Sequence, residues 1–314
     1  MRTWGLLGGA MLVSGVMSLW AQPALAAQCA TVSFSPGTVS VPAWNPINPA
    51  AQQASFTMTL TRVNTATTGI RIIFTDTNDS TQPVKLGTNS VGSGPPYQVL
   101  DPSGNNIVYP LNTTIESIKP TPLVQYQNKN SNNAVSVSLR LYVPANSANT
   151  DFGSGTYSET PNYIIQCTNG GNNNNPIDGP LSGPAVSLPI PNLVSLTTAS
   201  AATLDFQNFT SLTQALNVGL KSTGPVNVAI DSTNKLKMVR AGASSPYPDN
   251  STIAYLMSLR TVNIPSLPTT LTNQPRAGVA GMTWPLVLSL SSAPSGKVAG
   301  SYSDTITLTL TPGS

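Results

Sequence analysis

The sequence GSYSDTITLTLTPGS, residues 300–314, decides how the rest of the chain is interpreted. Ile306, Leu308 and Leu310 alternate with threonines, and a period of two with β-branched residues predicts a strand that buries one face. The sequence ends shortly after Leu310. We therefore expect no later segment of this sequence to pair with the outer edge of the strand.

The opening of this stretch also occurs earlier in the chain. Residues 155–160 (GTYSET) match residues 300–305 (GSYSDT) position by position, with conservative changes only. Each copy is followed by a strand-like run of residues. Similarity at a spacing of domain length predicts two related domains, each of which closes with the same turn into a strand.

The composition favours an exported all-β protein. Of the 314 residues only 8% are charged and 39% are hydrophobic, which argues against disorder, because disorder goes with high charge and few apolar residues. Histidine is absent, which excludes Ser-His-Asp and Cys-His catalysis and removes the commonest metal ligand. The 11 carboxylates form no tight cluster, and the formal net charge of +3 is too small for a nucleic-acid surface. We predict no catalytic residue, no cofactor and no metal site.

Residues 1–26 have the pattern of a secretory signal peptide. Arg2 supplies the positive start, residues 6–20 are largely apolar, and residues 24–26 (ALA) form an A-x-A cleavage site. A membrane anchor is the alternative, but glycine and serine interrupt the short apolar run. No other stretch is long and apolar enough to span a membrane, and we expect export through the periplasm.

Cys29 and Cys167 are the only cysteines of the chain. Two thiols in an exported protein favour one disulfide bond, and we predict this bond, with free thiols as the alternative. The bond would join the first residues of the mature protein to the end of the first domain.

Short alternating runs separated by turn residues predict two β-sandwiches. Residues 55–63 and 135–143 alternate most clearly, and no window has a convincing helical period. Residues 169–185 are rich in Gly, Asn and Pro and are predicted to be a linker, with a surface loop inside one larger domain as the alternative. The predicted domains are residues 27–168 and residues 186–314.

The second domain has its own set of strand candidates. Residues 215–221 and 226–232 alternate and are joined by residues 222–225 (STGP), which predict a hairpin. Residues 203–206 predict a short strand, and residues 253–262 predict a longer apolar one.

These features resemble the spore coat protein U (SCPU) domain family, which includes pilins and tip subunits of archaic chaperone–usher pili. The resemblance is carried by the G-x-Y-S-[DE]-T motif in both halves, by the terminal strand 305–310, and by a block that runs from residues 204–206 through 216–221 to 227–234. Gln207 stands where the family has Gly, and the second domain has no cysteine. The resemblance implies immunoglobulin-like sandwiches, of which the C-terminal one lacks its final strand and receives it from a neighbouring subunit or an assembly chaperone.

The free strand edge and the resemblance together predict a donor-strand groove in the C-terminal domain. Its predicted wall consists of Tyr302, Ile306, Leu308 and Leu310. A closed fold, in which the last strand is paired on both sides, is the alternative.

The start of the mature chain suggests where the subunit would lie in a fibre. A strand donor needs an N-terminal arm of about ten residues with alternating apolar side chains, whereas only Ala27 and Gln28 stand between the cleavage site and Cys29. We therefore expect a tip subunit of a cell-surface pilus, which accepts a strand and cannot donate one. The implied partners are a periplasmic pilus chaperone, an outer-membrane usher and a neighbouring pilin.

A tip subunit contacts a surface or a host target, and we expect the first domain to carry the contact surface. Exposed apolar residues in proline-rich loops suit binding. The candidates are Trp44, Pro95, Pro96, Tyr97, Leu123, Val124 and Tyr126. Packing in the core or in rigid turns is the alternative for each of them.

Two other functional classes fit the sequence less well. One is a secreted structural coat or matrix protein made of closed sandwiches. The other is a carbohydrate-processing enzyme on a β-sandwich, which the absence of clustered carboxylates disfavours.

Overall fold

The computed structural model describes residues 29–87, 93–126, 133–145, 151–169 and 175–314. The predicted signal peptide, residues 1–26, lies outside these ranges. The described chain is almost entirely β and forms two sandwiches, as the sequence predicts.

The first sandwich contains one helical turn, α1 (Ile115–Ile118), and the following strands within the described residues: β1 (Ala30–Ser35), β2 (Thr38–Ser40), β3 (Gln52–Arg62), β4 (Gly69–Thr75), β5 (Gln98–Leu100), β6 (Val108–Tyr109), β7 (Val124–Gln125), β8 (Ala134–Val143), β9 (Gly155–Glu159), β10 (Asn162–Thr168), β11 (Ile177–Ser182) and β12 (Ala185–Ile190). One sheet has the strand order β1-β3-β8-β5 and another has the order β11-β10-β4-β6, with β7 also paired to β4. The small sheet β2-β12-β9 completes this sandwich.

The second sandwich contains short 3-10 turns at Gln207–Phe209 and Asp249–Ser251 and the following strands: β13 (Val194–Leu196), β14 (Thr213–Ser222), β15 (Val226–Ser232), β16 (Lys237–Arg240), β17 (Thr252–Ala254), β18 (Leu256–Leu259), β19 (Val262–Ile264), β20 (Thr269–Gln274), β21 (Gly278–Ser289), β22 (Tyr302–Ser303) and β23 (Ile306–Pro312). Its sheets have the orders β13-β14-β21-β18-β19, β20-β15-β23 and β17-β16-β22.

Each sandwich encloses its own apolar core. In β3 the alternating residues Phe56, Met58 and Leu60 are at most 2% exposed, because successive side chains of a strand point to opposite faces. In the second sandwich the same alternation buries Val228 and Ile230 of β15. The period of two seen in the sequence is therefore the signature of these buried faces.

A disulfide joins Cys29 to Cys167, as predicted, with the two Cα atoms 5.5 Å apart. Both cysteines are fully buried. The bond connects the start of β1 to the end of β10 and so links two sheets of the first sandwich.

The prediction of a linker at residues 169–185 is wrong for the described part of that segment. Residues Ile177–Ser182 form β11, which pairs antiparallel with β10. The following strand, Ala185–Ile190, buries Val186 and Leu188 in the first core. Backbone pairing determines these strands, while the composition of the segment predicts a loop. The first sandwich therefore extends to Ile190, beyond the predicted boundary.

The predicted hairpin across residues 222–225 is also wrong. β14 pairs with β13 and β21, whereas β15 pairs with β20 and β23. The turn therefore carries the chain from one sheet of the second sandwich to another, and the two strands it connects are not neighbours.

The two sandwiches meet at Pro191, Asn192 and Leu193. Thr223 fixes this segment, because its Oγ1 donates to the carbonyl of Pro191 at 2.7 Å and accepts from the N–H of Leu193 at 2.8 Å. The Nδ2 of Asn192 donates to the carbonyl of Gly313 at 2.7 Å. The junction therefore also holds the C-terminal end of β23.

An ion pair crosses the same junction. Asp151 of the first sandwich accepts from Nη1 of Arg276 and from the N–H of Val279, both at 3.0 Å. The N–H of Ser154 donates to the carbonyl of Thr223 at 2.7 Å. The contacts between the two sandwiches are thus polar and specific.

We expect loss of the disulfide to lower the free energy of unfolding of the first sandwich by about 2–5 kcal/mol, because the bond constrains a long stretch of the unfolded chain. The test compares the Cys29→Ala/Cys167→Ala variant with the wild type in a urea titration. Without residues 1–26, the chain has Trp44 in the first sandwich and Trp284 in the second. Two single-tryptophan variants, Trp44→Phe and Trp284→Phe, therefore follow the unfolding of the second and of the first sandwich, respectively. Equal shifts of both transitions, or no shift of the first, would contradict the prediction.

Candidate functional site

The last strand of the second sandwich has one open edge. Within the described residues β23 pairs only with β15, antiparallel, with Leu308 opposite Ile230. The N–H and C=O groups on its other edge have no strand beside them. An exposed edge of this kind is a template for pairing with another chain.

The first sandwich provides an internal comparison for this edge. β10 follows the first G-x-Y-S-[DE]-T motif as β23 follows the second, and β10 pairs antiparallel with β4 as β23 does with β15. The other edge of β10 is covered by β11, residues Ile177–Ser182. The described residues contain no strand in the corresponding position beside β23.

The missing neighbour leaves the apolar face of β23 partly uncovered. In β10 the inward-facing residues Tyr163, Ile165 and Cys167 are at most 6% exposed. In β23 the apolar residues are only half-buried, and the threonines between them are exposed. Inward-facing and outward-facing residues alternate in both strands. The difference in exposure therefore comes from the neighbouring strand β11, which covers β10 and has no described counterpart beside β23.

A groove of about 710 Å³ runs along this face. One wall is formed by Tyr302, Ile306, Leu308 and Leu310. That this wall receives a donated strand stays a prediction. The opposite wall comes from the sheet that contains β14 and β21, with Leu216, Leu286 and Leu288 among its side chains. These two walls and the open edge of β23 make the arrangement a strand-shaped apolar groove.

A segment without regular structure borders the groove on a third side. β13 ends at Leu196, and the N–H of Thr197 still donates to the carbonyl of Gly219 at 2.8 Å. The chain then leaves β14, and residues 198–206 line the groove. Residues 203–206, predicted as a strand, belong to this irregular segment and lead into a 3-10 turn. The prediction of a strand at residues 203–206 is therefore wrong.

The two copies of the sequence motif build the same local geometry. The Oη of Tyr157 donates to the carbonyl of Gly153 at 3.2 Å, and the Oη of Tyr302 donates to the carbonyl of Val298 at 2.6 Å; both bonds span four residues. The glycine that starts each motif has a positive φ, 129° in the first copy and 149° in the second. This conformation favours glycine, which explains why both copies begin with it.

The acidic residue of each motif also makes an equivalent contact. Glu159 accepts the N–H of Thr77 at 3.3 Å, just beyond the end of β4. Asp304 accepts the N–H of Asn234 at 3.0 Å, just beyond the end of β15. In each sandwich the carboxylate therefore ties the turn before β10 or β23 to the neighbouring strand.

One end of the groove is polar. Tyr255 and Asp304 both line it, and the Oη of Tyr255 donates to Oδ2 of Asp304 at 2.8 Å. Burial raises the pKa of Tyr255, and the hydrogen bond to Asp304 raises it further. The phenol therefore stays neutral and acts as a hydrogen-bond donor to the carboxylate.

The predicted target-contact residues do not form an exposed surface. Trp44, Tyr97, Val124 and Tyr126 lie in the first core, at 0%, 1%, 3% and 7% exposure. Pro95 is also buried, while Pro96 and Leu123 are half-buried. The prediction of an exposed contact surface made of these residues is therefore wrong.

Hydrogen bonds explain why these aromatic residues are stable inside the core. The Nε1 of Trp44 donates to the carbonyl of Ala50 at 2.9 Å, and the Oη of Tyr126 donates to that of Leu60 at 3.1 Å. The Oη of Tyr97 donates to Oδ2 of Asp76 at 3.3 Å. Each polar tip is satisfied within the protein, so the rings need no contact with water.

A buried carboxyl lies close to this core. Glu159 accepts from Nδ2 of Asn78 at 2.9 Å as well as from Thr77. Burial raises the pKa of Glu159, hydrogen bonds from Thr77 oppose this shift, and the negative charge of Asp76 adds to it. The folded state therefore binds the proton of Glu159 more tightly than the unfolded state does.

We expect the first sandwich to lose stability as the pH rises from about 4 through the raised pKa of Glu159, because the folded state must give up a proton that it binds tightly. Glu159→Gln removes this titration, so its stability should change less with pH over the same interval. Urea titrations of both proteins between pH 4 and pH 8 measure the effect. Parallel pH profiles for the wild type and the variant would contradict the assignment.

The described residues offer neither a metal centre nor a membrane-spanning helix. No group of three or more His, Cys, Asp or Glu within them could hold a metal ion. None of the described helices has the length and apolar character needed to cross a bilayer. The groove beside β23 is therefore the candidate functional site.

The chain matches no family model and no curated protein. Solved structures with a similar arrangement include the CsuC–CsuE chaperone–tip adhesion subunit complex of archaic Csu pili from Acinetobacter baumannii, at 12% identity and a TM-score of 0.38 over 87% of this chain and 96% of that chain. A tip adhesin from Pseudomonas aeruginosa has 10% identity and a TM-score of 0.37 over 89% of this chain and 94% of that chain. CfaE, the adhesive subunit of CFA/I fimbria of enterotoxigenic Escherichia coli, has 13% identity and a TM-score of 0.32 over 90% of this chain and 82% of that chain. Values this low carry no inference about what the chain binds, which must come from the groove itself.

Proposed function

We propose that the chain is the adhesive tip subunit of a chaperone–usher pilus and that a strand donated by a neighbouring subunit completes its second sandwich. One observation carries this proposal: β11 covers the outer edge of β10, and the corresponding edge of β23 is open. The first sandwich thus contains the full set of three neighbouring strands, and the described residues of the second contain the same set without the outer strand.

The first sandwich also supplies a template for the donated strand. β11 runs antiparallel to β10, so the donated strand would run antiparallel to β23. Its backbone would pair with the free N–H and C=O groups, which is strand addition to a sheet edge. Its alternate apolar side chains would enter the groove and cover Ile306, Leu308 and Leu310.

The open edge also implies that a chaperone protects the subunit before it is assembled into a fibre. A free edge beside a half-buried apolar face invites aggregation, and the Thr-rich strand β23 has the β-propensity that favours it. A periplasmic chaperone that occupies this edge would protect the subunit until an outer-membrane usher exchanges it for a pilin strand. The mature protein would then belong to a cell-surface pilus.

The first sandwich supports a position at the tip of the fibre. Its own β11 occupies the place of a donated strand, so it offers no second acceptor groove of this kind within the described residues. We assign the first sandwich to target contact, through surface residues other than the buried candidates Trp44, Tyr97 and Tyr126.

We expect an alternating apolar peptide of about nine residues to bind the full chain and to raise the unfolding temperature of the second sandwich, because it would pair with β23 and fill the groove. Leu308→Ala should weaken this binding about tenfold, since the peptide buries the part of the Leu308 side chain that is still exposed. Fluorescence anisotropy with a labelled peptide measures the affinity.

Thr309→Ala is the matched control, because Thr309 lies on the same strand, is exposed and is not among the residues that line the groove. Its affinity for the peptide should equal that of the wild type. The proposal fails if the peptide does not bind, or if both variants weaken binding to the same extent.

A further inference from the structure

The groove beside β23 has a negatively charged end. Among the described residues that line it, the charged ones are Asp205 and Asp304, and none is Lys or Arg. Asp304 continues the alternate positions of Ile306, Leu308 and Leu310 along the same wall. The groove therefore passes from an apolar wall to two carboxylates.

The structure holds the carboxylate of Asp304 in place without a cation. Its Oδ1 accepts the N–H groups of Asn234 at 3.0 Å and Thr305 at 2.8 Å, and its Oδ2 accepts from the Oη of Tyr255. These donors are neutral, so they orient the charge but do not cancel it.

Asp205 lies on the irregular segment that lines the groove. Its Oδ1 accepts the N–H of Gln207 at 2.8 Å, and its side chain is exposed to solvent. The two carboxylates come from different parts of the sequence and line the same groove.

The cations of the neighbouring elements do not line the groove. Lys235 pairs with Asp231. Arg240 lies on β16, whose backbone pairs with Tyr302, and Lys237 is exposed on the same strand. The groove therefore presents a net negative charge to whatever strand enters it.

In the first sandwich the equivalent carboxyl group, that of Glu159, has different surroundings. Glu159 is 5% exposed and is covered by its own chain, with Thr77 and Asn78 as hydrogen-bond donors. Asp304 is only half-buried, and Asp205 is a second carboxylate in the lining of its groove. In the first sandwich, burial and hydrogen bonds hold the Glu159 carboxyl group without a cation. In the second sandwich, the groove leaves space for a cationic side chain beside Asp304.

We infer that the strand which completes the groove carries a basic side chain near its C-terminal end, facing Asp304 and Asp205. This inference rests on the proposed function, since it specifies the chemistry of the donated strand. Antiparallel pairing places the C-terminal end of the donor beside the start of β23. Inward-facing positions recur every second residue, so the Lys or Arg follows the last of three alternating apolar residues by two positions.

The expected size of the effect follows from the exposure of the pair. Partly exposed ion pairs contribute up to about 1 kcal/mol, which is about a fivefold difference in affinity. The apolar positions thus supply most of the affinity, and the charge selects the donor and its direction.

The test uses the full chain and four labelled nine-residue peptides with the same three alternating apolar residues and threonines between them. Three peptides carry Lys, Gln or Glu at the C-terminal inward position, and the fourth carries Lys at the N-terminal inward position instead. We expect the C-terminal Lys peptide to bind about fivefold more tightly than the Gln peptide, the Glu peptide to bind more weakly than both, and the N-terminal Lys peptide to match the Gln peptide. The preference should shrink in high salt, because exposed charges are screened.

Protein variants assign the preference to the two carboxylates. Asp205→Asn and Asp304→Asn should each reduce the preference for C-terminal Lys, while retaining an amide oxygen as acceptor. Asp249→Asn is the matched control, since Asp249 is exposed and does not line the groove. The fluorescence of Trp284 verifies that each variant is folded, and Asp205→Asn, at an exposed position, keeps the test decisive if Asp304→Asn is unstable.

The outcomes separate the two proposals. If none of the peptides binds, the strand-acceptor function is wrong and the inference falls with it. If all four peptides bind equally, the groove accepts a strand and the inference alone is wrong. A preference for N-terminal Lys, or a preference for C-terminal Lys that survives both Asp205→Asn and Asp304→Asn, also overturns it.

Discussion

The architecture of each sandwich depends on whether one of its strands, β10 or β23, is paired along both edges. β10 has β4 on one edge and β11 on the other, and its inward side chains are fully buried. Among the described strands, β23 has β15 as its only neighbour, and its inward side chains are half-buried. Because a buried N–H or C=O group requires a partner and an apolar face requires cover, a strand with one neighbour stays at the surface, and the groove lies beside this strand.

The repeated motif shows that the two sandwiches share one plan up to this strand. In both, a glycine of positive φ starts the turn, a tyrosine hydroxyl donates to a carbonyl four residues earlier, and a carboxylate accepts the N–H beyond the preceding strand. These contacts fix the direction in which β10 and β23 leave the turn. The plan diverges only after these strands, where the first sandwich adds residues Ile177–Ser182 and the second adds no described strand. The sequence motif predicts the shared part because every member of it has a local geometric role.

The wall of the groove could be predicted from sequence because its signal is local. A strict alternation of apolar residues and threonines specifies both a strand and its buried face, and Ile306, Leu308 and Leu310 are found where the pattern places them. The opposite wall and the charged end could not be predicted, since Asp205 and Asp304 are far apart in sequence and only the fold brings them to one groove. Residues 198–202 carry no periodicity, and the alternation at residues 203–206 predicts a strand that the fold does not form.

The wrong predictions of a linker and of an exposed contact surface have a common physical origin. β11 contains Gly179 and Pro180 and buries little, so its composition predicts a loop, and only its pairing with β10 makes it a strand. Trp44, Tyr97 and Tyr126 stand near prolines, as residues of exposed loops do, but their polar tips find acceptors inside the first core. In each instance a tertiary contact overrides a local preference, and local preference is all that a single sequence shows.

The groove is held open by contacts at both ends of β23. At its start, Asp304 is bound to Asn234 and Tyr255; at its end, the carbonyl of Gly313 is bound to Asn192 in the junction between the sandwiches. Pairing with β15 fixes the strand between these two points. A strand that enters the groove therefore meets an edge that is already ordered, and the ordering cost of binding falls mainly on the donor. In the proposed complex, the sequence of the donated strand would control the affinity, and the apolar and acidic parts of the groove would select the identity and the direction of that strand.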